Sequence, residues 1–334
     1  MLFSVVVPVY NVDIYIHECL QSLSDQTITD FEVILVDDGS TDDSGKICDE
    51  YAESHTNVKV IHKKNEGLLL ARRSGIDICS GEYIIHCDSD DYIAKDALER
   101  IKLAIEKHHP DMVMYGYDVV DDSHKIIEEH FTVFDDNEIF QSDNKEILIN
   151  QLCSTTWLNN MVTKAVRREL VDVNVDYSDY KSIKMGEDLF QVIPLVKNCK
   201  TFIYLALPLY FYRFNPSGMS KNISRNYLDN YMTVSDRMYE LLCTEKVSKA
   251  TMVNFYNRFV KDIYKYILRY IKDGITKEEY VDLLDKTSHN NIFIDAEKHE
   301  SAWSRENKGL RKLITKENYG LVSVLAKTIL RNRI

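Results

Sequence analysis

The sequence predicts an α/β protein: a doubly wound, mostly parallel sheet flanked by helices, followed by a helical C-terminal region. Three observations carry this expectation. Near-continuous apolar runs recur through the first 120 residues, each followed by a stretch of helical spacing. Strands buried on both faces have that pattern, and the helices between them supply the crossovers. Polar or acidic clusters close three of these runs. From about residue 224 the strand signal fades, and long helical patterns rich in Tyr, Lys and Asp continue to the end.

Taken in order, residues 3–9 are an almost unbroken β-branched run, and 14–23 show helical spacing. Residues 31–36 form a second apolar strand, with a helix through Ile47 and Tyr51 behind it. A third strand over 58–61 precedes a helix over 68–78. Ser80-Gly81 then punctuates the chain before a fourth strand, 83–87, a helix over 94–106 and a strand over 111–119. Right-handed crossovers wind such units into one sheet whose ligands sit beyond the carboxyl ends of the strands. Val9-Tyr10-Asn11, Asp37-Asp38 and Asp88-Ser89-Asp90 all fall at those ends, so three polar clusters converge on one crevice. Residues 125–134 read as an extended, half-exposed excursion, and 157–170 as a helix with basic residues near its end. Residues 201–214 are apolar and aromatic, closed by the turn signal Asn215-Pro216-Ser217-Gly218. The change of character divides the chain into a domain over 1–220 and a helical region over 221–334.

The 334 residues are 45% hydrophobic and 28% charged, the balance of an ordinary globular protein. No apolar run reaches the roughly 18–20 residues of a membrane span. The N-terminus lacks a basic segment ahead of its apolar stretch and reads as a strand, not a signal peptide. Seven cysteines without any Cys-x-x-Cys spacing argue against a disulfide framework or a structural zinc, and fit reduced, buried thiols in a cytoplasmic protein. A net charge of −12 argues against nucleic acid as a partner. The charge is uneven, however: residues 305–334 carry +6 and the remainder −18.

Crowded carboxylates raise one another's pKa, and a cation relieves them. Asp88 and Asp90, one residue apart at a strand end, can hold one Mg²⁺ or Mn²⁺ and leave positions open for phosphate oxygens. On these residues alone, a loop entry with Asp91 as a helix cap explains the cluster equally well. Asp37 and Asp38 can accept hydrogen bonds from a base imide and a ribose hydroxyl. Gly39 permits a tight turn, and Ser40, Thr41 or Asp42 can cap the next helix. Pro8, Val9 and Tyr10 can line a nucleobase slot or simply pack. Ahead of the third helix, Asn65 and Gly67, with Arg72 inside it, combine a helix N-terminus and a guanidinium, a pairing suited to a diphosphate. A solvated arginine on an amphipathic helix is the plainer reading.

Together, Pro8-Val9-Tyr10-Asn11, Asp37-Asp38-Gly39-Ser40-Thr41-Asp42, Asn65-x-Gly67 with Ala71-Arg72, and Asp88-Ser89-Asp90-Asp91 resemble the family 2 glycosyltransferases. These are inverting enzymes of the GT-A fold that use nucleotide-activated sugars. Order and spacing agree across residues 3–92, and a weaker likeness continues to about residue 220. The resemblance implies that Asp38, with Asp37 beside it, holds uracil and that Pro8, Val9 and Tyr10 line the base. It places Arg72 near the diphosphate, Asp88 at the ribose and the metal on Asp90 with Asp88 in support, and counts Asn65, Gly67 and Ser89 among the donor-binding residues. The family often carries Asn after the arginine, where this chain has Arg73.

An inverting transfer needs a base opposite the leaving diphosphate. Met185-Gly186-Glu187-Asp188 resembles the Glu-Asp pair that opens a helix in this family. That likeness makes Asp188 the base and Glu187 the neighbour that shapes its pKa or meets the acceptor; two acids favoured by a helix dipole are the plainer alternative. Tyr210-Phe211-Tyr212-Arg213 with Ser217 and Ser220 resembles a family segment near the active site, a lid or else a packed sheet edge.

The implied activity is metal-dependent transfer from a UDP-sugar to a glycan, lipid-linked or protein-linked acceptor, in bacterial surface polysaccharide or glycoprotein synthesis. Two rivals are a non-catalytic glycan-binding or scaffolding subunit and a sugar-phosphate nucleotidyltransferase. The latter usually has a glycine-rich basic loop after the first strand, where Tyr10-Asn11-Val12-Asp13 stands. The basic tail, 305–334, suits peripheral contact with an anionic membrane, contact within a homo-oligomer, or docking on the acidic domain.

Overall fold

A computed structural model describes residues 1–129, 132–172, 175–215 and 226–329. The chain divides into two compact units, Met1–Lys145 with Thr156–Asn222, and Glu146–Thr155 with Ile223–Ile334.

The first unit begins β1 (Phe3–Val9), α1 (Ile16–Ser24), β2 (Phe31–Asp37), α2 (Ser44–Ser54), β3 (Val58–His62), α3 (Leu68–Asp77) and β4 (Tyr83–His86). It continues through β5 (Tyr92–Ile93), α4 (Ala97–His108), β6 (Met112–Val120), β7 (Ile126–Glu128) and β8 (Glu138–Phe140). After α5 (Lys145–Ser154) come β9 (Lys164–Arg167), α6 (Glu187–Asn198) and β10 (Phe202–Arg213). The strands form one sheet in the order β3-β2-β1-β4-β9-β6-β10-β5, with β7 beside β6 and β8 beside β10. β1 pairs in parallel with β2 and β4, β2 with β3, and β6 with β10. Every residue of β1 and β2 is buried, as expected of strands covered on both faces.

One expected element differs. Residues 157–170 form no long helix; the chain enters the sheet as β9 and ends in a short 3₁₀ turn, Arg168–Leu170. β9 runs antiparallel to both neighbours, with Ala165 opposite Ile85 on β4 and Val113 on β6. The apolar positions 161, 162, 165 and 166 suit a helix or a strand, and the unpaired edges of β4 and β6 decide between them. Helices cover the sheet through regular stripes: α1 buries Ile16, Cys19, Leu20 and Leu23. α3 lies unusually close to β1, since a Cβ at Gly75 would stand 2.4 Å from a methyl of Val6.

The second unit takes α5 beyond its first residue, then α7 (Tyr227–Thr244), α8 (Lys249–Lys272), α9 (Lys277–Ser288), α10 (Asn291–Lys298), α11 (Arg305–Leu313) and α12 (Tyr319–Ile329). α8 is its axis, burying Phe255, Phe259, Ile263, Ile267 and Ile271 along one side, and α7, α9, α10, α11 and α12 pack on it. Ser248 caps α8, and Thr276 with Glu279 forms a capping box on α9. Among the described residues no helix is long and apolar enough to cross a membrane. Of the seven free cysteines six are buried as expected; Cys243 is exposed.

Candidate active site at the carboxyl edge of the sheet

β2, β1 and β4 are adjacent and parallel, so Asp37, Val9 and His86 close three strands on one edge. The edge is laced together by the polar residues that follow. Asp38 N–H donates to Val9 O at 2.9 Å, and Thr41 N–H donates to Asn11 Oδ1 at 2.8 Å. Gly39 turns the chain at φ 76°, where a Cβ would stand 2.8 Å from Asn65 N. Tyr10 projects at this edge with nearly half its surface open.

Asp37 accepts from Ser40 N–H at 2.9 Å and pairs with His62 Nδ1 at 2.8 Å. Burial alone would raise its pKa, but the Ser40 and His62 hydrogen bonds outweigh it and hold the carboxyl below the usual range. Asp38 accepts from the N–H groups of Glu66 at 3.0 Å and Gly67 at 2.8 Å, and from Lys63 Nζ at 3.1 Å. The structure thus brings Asp37, Asp38, Asn65 and Gly67 together, and both aspartates have internal donors. Asp38 orders the 63–67 loop, which delivers Gly67 to the start of α3 at φ 93°.

Arg72, one turn into α3, is fully buried. Its Nη2 donates to both oxygens of Asp88, at 2.8 and 3.1 Å, and its Nη1 to Oδ1 of Asp188; Nε has no partner among the described residues. Burial opposes the guanidinium's charge, and Asp188 and Asp88 more than restore it. Asp188 reaches Arg72 from the first turn of α6, which Gly186 opens in the left-handed region at φ 78°. Burial, then the charge on Asp188, pushes its neighbour Glu187 up to about 7. Burial and Asp188 raise Asp88 as well, against the pull of Arg72.

Ser89 is buried. Asp90 follows it with a carboxylate that, among the described residues, hydrogen-bonds only to its own N–H; burial and then Asp88 push it up to about 6. Asp91 caps no helix. It lies ahead of β5, and its buried carboxylate accepts from Tyr210 O–H and, at 2.8 Å, from Arg213 N–H. Tyr210 O–H also accepts from Asp88 N–H at 3.2 Å, and Arg213 Nε donates to Asp90 O at 3.0 Å. β10 thereby fixes the 88–91 loop. The aromatic segment 210–213 belongs to that strand, with Phe211 stacked on Tyr92 at 4.9 Å. Ser217 and Ser220 lie outside the described residues.

Among the described residues no three acidic, His or Cys side chains converge as a metal cluster. The donor set suits a divalent cation held by one or two carboxylates and completed by phosphate: Asp90 is underpartnered, and Asp88 is adjacent though fixed through both oxygens by Arg72. Sequence reasoning missed the clamp of Arg72, the pins from Tyr210 and Arg213, and Lys164, buried at the start of β9. The signal for Lys164 was a single cation inside the apolar stretch Met161-Val162-Thr163-Lys164-Ala165-Val166.

Residues 4–182 match the family model described as Glycosyl transferase family 2. The chain belongs to that family. It is 30% identical over 233 residues to the uncharacterized glycosyltransferase EpsJ of Bacillus subtilis, covering 69% of this chain and 66% of that protein. It is also 30% identical over 227 residues to glycosyltransferase GlyA of Streptococcus pneumoniae, covering 65% of this chain and 31% of that one. The chain therefore spans between 31% and 66% of the length of these relatives. Among solved structures, S. aureus TarS 1–349 in complex with UDP-GlcNAc is similar at 22% identity and a TM-score of 0.71, covering 97% of this chain and 90% of that one. That likeness shows a GT-A-like fold and includes the C-terminal helices.

Proposed function

We propose that this glycosyltransferase is an inverting, metal-dependent enzyme that moves a sugar from a UDP-linked donor to a glycan, lipid-linked or protein-linked acceptor in bacterial surface-glycan synthesis. The observation that carries the reading is that one buried cation, Arg72, joins Asp88 at the end of β4 to Asp188 at the start of α6. Leaving-group chemistry and base chemistry require two such acids close together with different surroundings. The complex of TarS with UDP-GlcNAc supports a UDP-sugar as donor.

The base would rest on Tyr10 against Pro8 and Val9, in a slot whose walls Asp37 and Asp38 hold in place, with Asn65 and Gly67 beside the diphosphate. Asp88 and Ser89 would meet the ribose. A Mg²⁺ or Mn²⁺ on Asp90, with Asp88 beside it, would supply positive charge to the departing diphosphate. As the acceptor oxygen bonds to the anomeric carbon and the bond to phosphate breaks, the hydroxyl proton passes to Asp188. Arg72 holds Oδ1 of Asp188, so the other oxygen takes the proton. Glu187, near 7, carries only part of a charge at neutral pH and limits repulsion against its neighbour.

Asp188→Asn tests the assignment: donor binding by calorimetry stays within about twofold and transfer falls by about a thousandfold or more. Wild-type transfer by this variant would place the base elsewhere. The anomeric configuration of the product, read by NMR, tests inversion.

A further inference from the structure

Arg213, the last residue of β10, is 4% exposed, and its contacts run to three other segments. Its Nε donates to Asp90 O at 3.0 Å and its backbone N–H to Asp91 Oδ1 at 2.8 Å, both in the 88–91 loop. Its Nη2 donates to Oε2 of Glu18, in the first turn of α1. Its Nη1 lies 3.5 Å from Asp122 Oδ1, in the segment between β6 and β7. A guanidinium so deeply buried needs a counter-charge at hand. Asp122 is 73% exposed, and ion pairs with such exposed partners contribute little. Glu18, 33% exposed and hydrogen-bonded, is the stronger counter-charge.

Glu18 is itself held in place. Its Oε1 meets His124 Nδ1 at 2.9 Å, from the same segment as Asp122. Its helix is tied to β5, where Ser22 Oγ accepts from Ile93 N–H at 3.3 Å. Each carboxylate oxygen of Glu18 thus has a cationic or N–H partner already, so the residue is placed as a support and not as a cation ligand. α1 carries Glu18, Glu18 holds the guanidinium, and the guanidinium holds Asp90 O.

We propose that Glu18 is a positioning residue for donor binding: acting through Arg213, it fixes the backbone of Asp90 and so orders in advance the carboxylate that takes the cation. The proposal rests on Asp90 as the metal ligand. A loop already ordered loses little conformational freedom when cation and diphosphate bind. Loss of Glu18 therefore weakens UDP binding only where the cation takes part.

The test uses UDP and Mn²⁺ as probes, with UDP affinity measured by calorimetry in saturating Mn²⁺ and by ligand-observed NMR in chelator. Glu18→Ala should lower the affinity in Mn²⁺ about tenfold or more and leave the affinity in chelator within about twofold. In an Arg213→Gln background Glu18→Ala should cost nothing further, because the group it acts through is already gone. An unchanged affinity in Mn²⁺, an equal fall with and without the metal, or the same fall in both Arg213 backgrounds would overturn the proposal and leave Asp90 standing. A wild-type affinity that ignores Mn²⁺, or a Mn²⁺-dependent gain that survives in Asp90→Ala, would overturn the metal reading and this role with it. If the Ala variant does not fold, Glu18→Gln, which keeps the side chain's shape, gives the same comparison.

Discussion

Asp88, Ser89, Asp90 and Asp91 are consecutive, and their surroundings make each a different chemical object. Asp88 is gripped by a guanidinium, Ser89 is buried, Asp90 meets only its own backbone among the described residues, and Asp91 is tied to β10. Asp90 is therefore the member able to take a cation without breaking an existing contact. Asp90→Ala should abolish Mn²⁺-dependent UDP binding, measured by calorimetry with and without chelator. Tight binding that ignores the chelator would rule out the metal assignment. The cluster was visible in the sequence because acids after an apolar run are conspicuous. Its internal division was not, since the deciding partners are Arg72, 16 residues upstream of Asp88, and Tyr210, 119 residues downstream of Asp91. Asp37 and Asp38 were found for the same reason. Their partners, backbone N–H groups of the 63–67 loop among them, have no residue signature.

Glu32 shows what holds β1, β2 and β3 together. It sits in β2, wholly buried, accepting from Ser4 Oγ on β1 at 2.6 Å, Lys59 Nζ on β3 at 2.8 Å and Ser80 ahead of β4 at 2.6 Å. Burial alone would raise its pKa, but the bonds from Lys59, Ser4 and Ser80 bring it down to about 2 from 4.5. A folded-state pKa below the unfolded one contributes stability above about pH 4.5, lost as the pH falls toward 2. The contribution is on the order of 3 kcal/mol at neutral pH. Glu32→Gln should lower the melting temperature at pH 7, and calorimetry should find the gap from wild type closing toward pH 3. A gap independent of pH would show that the carboxylate's charge is not what matters. Most strands were legible because both faces of a parallel sheet demand continuous apolar runs. β9 was not, because four residues are too few to show a period and the available sheet edges lie far away in sequence.

For the molecule as a whole, the uneven charge matters most at the C-terminus. Part of the basic excess is neutralised locally, with Arg311 on Glu297 and Lys316 on Asp285. Leu321 and Val324 remain more than half exposed on α12, and Lys312 and Lys316, ahead of it in the chain, are exposed as well. Deleting 305–334 would strip Asn307, Ile314, Val322 and Ala326 from the helical unit's interior, so point changes are the cleaner probe. If this face meets an anionic lipid surface, Leu321→Asp with Val324→Asp should reduce co-sedimentation with phosphatidylglycerol vesicles while leaving transfer to a soluble acceptor intact. Equal co-sedimentation of the variant and wild type would exclude that contact.

Six strands, β1 to β4 with β6 and β10, present their last residues to the edge where the candidate site lies; β9, running the other way, presents its first. Chain polarity therefore decides which loop serves each strand's contribution. Elsewhere it is the segment after the strand, but Lys164 is fastened by the carbonyl of Asn160, in the segment before it. Changes in residues 156–163 thus bear on this edge of the sheet from a position upstream of their strand, through the hold of Asn160 on Lys164.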